Sequence, residues 1–250
     1  MINRLDELIE KYLISEEEDF ESKHPGFAWA SEALRCSRQV GFRIAEEPVT
    51  EDLPLYSRWN FMQGNYLHKV VQEAIGFHYG LAYLTEVDWS MDGISGRADA
   101  MSEDTIIELK TINSFGFRKA VFDSRGKAAT GPEPAAIMQG FLNAEGLRRD
   151  ARYKTTAKLV KVIYVTKEPS LAKPIVSKVW TYKWTDARTR EVEAEIRRLQ
   201  SISNLVRAGG GVPKPIFGGK LITDPASVNF PCGYCAYKAK CIELGPGGAA

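Results

Sequence analysis

The stretch from Ile94 to Thr111 constrains this chain most, because its two apolar runs carry charges that must share one small region. Residues 94–101 and 105–111 each read as a strand, and Ser102-Glu103-Asp104-Thr105 between them is turn material, so the pair reads as a hairpin. Glu108 and Lys110 are two apart and therefore point to one face. With Glu103 and Asp104 at the tip, residues whose numbers sum alike lie opposite, which sets Asp99 across from Glu108. Cross-strand partners have Cβ atoms about 4.5–5.5 Å apart, so two carboxylates and a lysine crowd one spot. Like charges that close are costly unless a cation sits between them. An Asp/Glu/Lys trio on a sheet is most often a solvated ion pair. Here the neighbours are Ile94, Ala98, Ala100, Ile106, Ile107 and Leu109, which argues for partial burial. Buried charges are normally paired or bound to metal. A divalent metal held by two carboxylates beside an ammonium suits phosphodiester hydrolysis.

At 250 residues the chain can bury one full core with a small appended lobe. Its formal net charge of +1 leaves no global electrostatic footprint for nucleic acid, so any such binding must come from a local basic patch. No apolar run reaches the length of a membrane span, and Met1-Ile2-Asn3-Arg4-Leu5-Asp6-Glu7 lacks a signal-peptide core. The expectation is a soluble, cytoplasmic protein without a membrane partner.

Along the chain, residues 2–14 read as a short amphipathic helix, and a second helical stretch spans 29–46. Residues 59–79 form a longer helix pattern that carries His68 beside its apolar stripe. A strand at 81–89, a turn at Asp92-Gly93 and the hairpin follow. Residues 112–134 lack a clear period and read as a long functional loop. A helix at 135–149, strands at 158–165 and 175–184, and a charged helix over 185–207 ended by Gly209-Gly210-Gly211 complete a mixed α/β pattern. The organisation expected is an N-terminal helical segment (1–58), a core (59–208), a cysteine-bearing segment (209–244) and a disordered tail (245–250).

Cys232, Cys235 and Cys241 form C-x2-C-x5-C, while Cys36 stands alone near the start. A cytoplasmic chain would not normally hold disulfides, so ligation is favoured over bridging. Four thiolates suit either a structural zinc or an iron–sulfur cluster. Zinc sites usually use two short cysteine pairs, which this is not, although spacing alone leaves both metals open. If Cys36 is the fourth ligand, the metal ties the two chain ends together as a structural staple.

With these elements in order, the chain resembles the PD-(D/E)xK nuclease superfamily, and more narrowly the RecB-type exonucleases with an iron–sulfur cluster, CRISPR-associated members and phage relatives included. Leu67-His68 matches the family's helical histidine, Gly96-Arg97-Ala98-Asp99 its G-x-x-D, Glu108-Leu109-Lys110 its E-x-K, and Gln139 the glutamine on the next helix. Cys36, Cys232, Cys235 and Cys241 match its one early and three late cysteines. One position departs: the family's helix tends to read Q-x-x-x-Y, and here the fourth residue after Gln139 is Asn143. The resemblance spans about residues 30–242. It implies an α/β restriction-endonuclease-like core, with a lobe from the N- and C-terminal segments holding a 4Fe-4S cluster.

It further implies a DNA exonuclease, with endonuclease activity left open, that uses Mg²⁺ or Mn²⁺ held by Asp99, Glu108, His68 and the backbone carbonyl of Leu109. Lys110 would orient the attacking water or stabilise charge on the phosphate, with Gln139 hydrogen-bonded into the site. Arg118, Lys119, Arg125 and Lys127 alternate with Phe115, Phe117 and Phe122, a pattern that suits single-stranded DNA and DNA ends. A recombination or CRISPR adaptation protein would be the partner. Two other readings remain at this level: a non-catalytic DNA-binding scaffold with the same fold, and a metallohydrolase with a structural four-cysteine zinc. His24 and His78 have no support beyond a structural or surface role.

Overall fold

The computed structural model describes residues 25–51, 54–121, 131–168, 177–226 and 231–247. The expected helix over 2–14, together with Phe122, Arg125 and Lys127, lies outside them. The strands are β1 (Ala28–Trp29), β2 (Leu84–Met91), β3 (Ile94–Met101), β4 (Thr105–Ile112), β5 (Leu159–Thr166), β6 (Ser177–Lys183), β7 (Ile216–Phe217) and β8 (Lys220–Leu221). The helices are α1 (Ser37–Ile44), α2 (Leu55–Tyr79), α3 (Ser114–Val121), α4 (Pro134–Arg149), α5 (Asp186–Arg207) and α6 (Lys238–Leu244). A central mixed sheet of β1 to β6 is flanked by helices, as the alternating pattern implied.

β4 lies at the middle and is buried along most of its length, which explains its unbroken Ile106-Ile107-Glu108-Leu109 run. It pairs in parallel with β5 over all its residues, and β6 closes that side antiparallel. β2 and β3 form a hairpin through Asp92-Gly93, whose φ values of 35° and 82° suit a tight turn with two left-handed residues. Asn113 caps α3 by accepting from the Gly116 N–H at 2.7 Å.

The two faces of β4 are covered by different helices. Gly64 of α2 faces Thr111, whereas Gly140 of α4 faces Glu108, and residues three apart on a strand lie on opposite faces. α4 approaches the sheet closely because Gly140 and Gly146 lack side chains. A Cβ at Gly140 would come within 2.6 Å of Val160, and one at Gly146 within 2.2 Å of Trp89. The main core gathers Trp89, Ile94, Ile106, Phe141, Leu142, Val160, Val162 and Leu199. A second small core of Phe42, Val212, Tyr237 and Cys241 joins the N-terminal part of the chain to its C-terminal end.

Two segments differ from the sequence expectation. The stretch 29–46 is not one helix: β1 pairs in parallel with β3, a 3-10 turn follows at Ala30–Glu32, and Leu34 adopts φ 58° before α1 begins. The Glu32 carboxylate holds that break by accepting from Trp29 N at 2.8 Å and Arg43 Nε at 2.7 Å. The stretch 112–134 is not a continuous loop, because Ser114–Val121 forms α3, with Phe117 buried in the main core. Among the described residues no helix is long and apolar enough to cross a membrane.

Candidate active site

The site forms where the sheet splits. β3 and β4 pair only at Ala100–Ile107 and Met101–Ile106, the register expected from the turn, and then diverge. Further along, β1 takes over that edge of β3 at Ile94 and Ser95. Asp99 therefore does not meet Glu108 in a regular ladder. Its carboxylate enters the gap, and Oδ2 accepts from the Leu109 N–H at 2.6 Å. The other oxygen, Oδ1, lies 3.6 Å from His68 Nδ1 on α2. One turn further along α2, the buried Gln72 donates to Asp99 O at 3.5 Å and also to Glu86. Glu86 holds a left-handed φ of 52° within β2, a strained conformation for a side-chain-bearing residue.

Glu108 is 1% exposed. Its Oε2 accepts from Asn143 Nδ2 at 3.1 Å, while Oε1 faces Lys110 Nζ at 2.7 Å as an ion pair but without hydrogen-bond geometry. Burial pushes the Glu108 carboxyl up to about 7, with Asp99 adding to the rise and Lys110 and His68 opposing it. For Lys110, burial works against the charge. The adjoining Glu108 carboxylate outweighs it, with Asp99 beyond, and holds the ammonium above its ordinary value. Lys110 Nζ donates to Gln139 Oε1 at 2.8 Å, so α4 aims the ammonium that β4 carries.

Asn143, where the sequence departs from the family pattern, is fully buried and central to this arrangement. It accepts from Trp89 Nε1 at 2.9 Å and donates to both Glu108 Oε2 and Arg97 O, the latter at 3.2 Å. Arg97 O belongs to the part of β3 that β4 has left. Asn143 thus satisfies an open strand edge and orients Glu108 together. Sequence reasoning marks it only as a departure; its position one turn after Gln139 is the available signal. Gln72 escapes sequence reasoning as well, although it follows His68 by four residues and so shares its helix face.

By donor type three groups suit a divalent cation: the Asp99 carboxylate, the half-buried His68 imidazole and the Glu108 carboxylate, whose Oε1 is buried against Lys110. Among the described residues, though, no three His, Cys, Asp or Glu side chains stand close enough to hold one ion, and the Lys110 ammonium lies against Glu108 Oε1 instead. Arg118 and Lys119 are exposed on α3, which begins two residues after β4 ends, and Phe115 is exposed beside them. Arg125 and Lys127 fall outside the described residues.

Cys36, Cys232, Cys235 and Cys241 line a single cavity together with Arg38, Phe42 and Pro231. Burial pushes the Cys36, Cys232 and Cys235 thiols up, Cys235 to about 11. The guanidinium of Arg38 is fully buried beside them, donating to Gly245 O at 2.6 Å, Pro213 O at 3.1 Å and Cys241 Sγ at 3.6 Å. The ligands of one zinc ion must all lie about 2.3 Å from it. Among the described residues no three of these thiols stand close enough to hold one ion.

No family model and no curated protein matches this sequence. Among solved structures, the chain is similar to the crystal structure of SSO0001, with a TM-score of 0.53 and 17% identity, covering 96% of this chain and 98% of that one. An alkaline exonuclease, LHK-Exo, from Laribacter hongkongensis aligns with a TM-score of 0.49 and 15% identity over 74% of this chain and 92% of its own. A phage related exonuclease from Haemophilus somnus 129PT aligns with a TM-score of 0.44 and 12% identity over 70% and 82%. The likeness to SSO0001 shows a shared fold.

Proposed function

We propose that this chain is a metal-dependent deoxyribonuclease of the PD-(D/E)xK type, acting as an exonuclease on DNA ends with a preference for single strands. The observation that carries this reading is the meeting of Asp99, Glu108, Lys110 and Gln139 at the split in the sheet, with the buried Glu108 Oε1 paired to the Lys110 ammonium at 2.7 Å. Asp99 and Glu108 would hold Mg²⁺ or Mn²⁺, with His68 and the Leu109 carbonyl as further ligands. When bound, the ion lowers the pKa of a water and polarises the phosphate.

The chain's own residues supply the remaining functions. Asn143 keeps Glu108 Oε2 occupied, which leaves Oε1 facing the Lys110 ammonium. Gln139 holds the Lys110 ammonium where negative charge grows on the phosphoryl oxygens, and a preoriented cation in a poorly solvated site stabilises that charge strongly. Arg118 and Lys119 supply phosphate contacts, Arg125 and Lys127 follow them in the sequence as further candidates, and Phe115 offers a stacking surface. The cysteine cavity would hold a 4Fe-4S cluster that ties the N-terminal part of the chain to the C-terminal end.

The test is product analysis with Mn²⁺ on 5′- and 3′-labelled strands, single and paired. Release of short nucleotides from one labelled end, faster on single strands, is expected. Uniform internal fragments would replace the exonuclease assignment with an endonuclease, and intact DNA under all conditions would favour a non-catalytic binding protein.

A further inference from the structure

α2 has two faces with opposite characters. Toward the sheet it presents Gly64, His68, Val71, Gln72 and Ile75, the face that touches β4 and Asp99. Away from the sheet it presents Tyr56, Trp59, Gln63, Tyr66, Val70, Glu73 and Phe77, spaced alternately by three and four residues. Tyr66 is 68% exposed and Phe77 87% exposed, and Tyr56, Trp59 and Val70 are exposed as well. A soluble chain rarely leaves so continuous an aromatic stripe in water without a use for it. The three-four spacing is that of a coiled-coil seam, which fits another helix of the same pitch.

The order of residues along the stripe identifies that helix. Read outward from its middle, the seam is self-complementary when reversed: Trp59 falls on Phe77, Gln63 on Glu73, and Tyr66 on Val70. Aromatic meets aromatic, a carboxamide meets a carboxylate it can donate to, and each pair occurs twice about a two-fold axis. A parallel alignment of two copies would instead bring Glu73 against Glu73 and forfeit the polar pair. We propose that this stripe is the seam of a symmetric dimer in which α2 pairs antiparallel with α2 of a second copy of this chain. The Gln63–Glu73 layers fix the register, as a single polar position does in coiled coils. His68 and Gln72 stay on the inner face of each protomer, so the pairing leaves both candidate active sites intact and does not depend on the nuclease reading.

Sedimentation equilibrium on the full chain tests this. The wild-type species should have twice the mass of the 27.9 kDa chain. Val70→Lys and Tyr66→Glu should each weaken association by about a hundredfold or more, because each places a charge against an apolar partner at two symmetric places. The double variant Tyr66→Glu/Val70→Lys should regain the dimer, since each new glutamate then faces a new lysine of the other copy. Both positions are exposed, and circular dichroism should show the same helix content and melting in all three variants. A monomeric wild type overturns the proposal without any variant. A wild-type dimer that Val70→Lys leaves intact, or a double variant no more associated than either single one, overturns it too.

Discussion

Replacing Asn143 by alanine isolates the residue that joins the split sheet to its carboxylate. The substitution leaves three groups without their partner: the buried Trp89 Nε1–H and Glu108 Oε2, and the part-buried Arg97 O. Each buried polar group left unsatisfied costs about 1–3 kcal/mol. Water entering the vacated space would hold the total near the lower end, about 3–5 kcal/mol. That is a large share of the ~5–15 kcal/mol that stabilises a typical domain. Losing a hydrogen bond to the charged form, worth about 1.5 kcal/mol, also raises the Glu108 pKa by roughly one unit. The carboxyl already stands at about 7 because of burial, so the ionised form needed for metal binding would then appear at about pH 8. Activity is therefore lost as pH falls, and the variant loses it about one unit earlier on the way down. Urea unfolding of metal-free protein and the pH–rate profile with Mn²⁺ measure the two effects. A stability loss under about 1 kcal/mol together with an unmoved pH midpoint would refute the role assigned to Asn143.

Since Glu108 must ionise to bind a cation, the apparent Mn²⁺ affinity of the wild type should be level above its value of about 7 and fall about 100-fold between there and pH 5, as calorimetric titration would record. Neutralising Arg118, Lys119, Arg125 and Lys127 together should reduce the salt dependence of single-strand binding by about 0.7 in the log–log slope for each phosphate the chain no longer neutralises; an unchanged slope would remove these residues from the DNA path. Cys36→Ala should lower iron content and melting temperature together, with cleavage per folded molecule retained, because metal binding that joins residues 36 and 241 contributes folding free energy. Full iron occupancy at wild-type stability would take Cys36 out of the cluster.

The hairpin was legible because its signals are local. Strand alternation, the 102–105 turn and the matching sums gave a register that the Ala100–Ile107 and Met101–Ile106 pairs reproduce. What the sequence did not display is the divergence beyond Ala100. It depends on β1 claiming one end of β3 and on Asn143 and Asp99 filling the gap, and these residues are distant from one another along the chain. α3 was hidden for a different reason. Its short run of Phe, Gly, Arg and Lys has no clear period, and the helix is secured by the Asn113 cap and the burial of Phe117. Gln139 was readable as a residue of the following helix, but its bond to Lys110 depends on how closely α4 can approach the sheet. Gly140 and Gly146 permit that approach, and their meaning emerges only once Val160 and Trp89 are seen beneath them.

The central claim is that Asp99, Glu108 and Lys110 form a divalent-metal centre for phosphodiester cleavage. The rate of DNA degradation by chelator-stripped protein, measured against added Mn²⁺ for wild type and Glu108→Gln, tests it most directly. The account predicts no cleavage without metal, a saturating rise with Mn²⁺ in the wild type, and no cleavage by Glu108→Gln at any concentration. Equal cleavage in chelator, or a Glu108→Gln rate close to wild type, would contradict it.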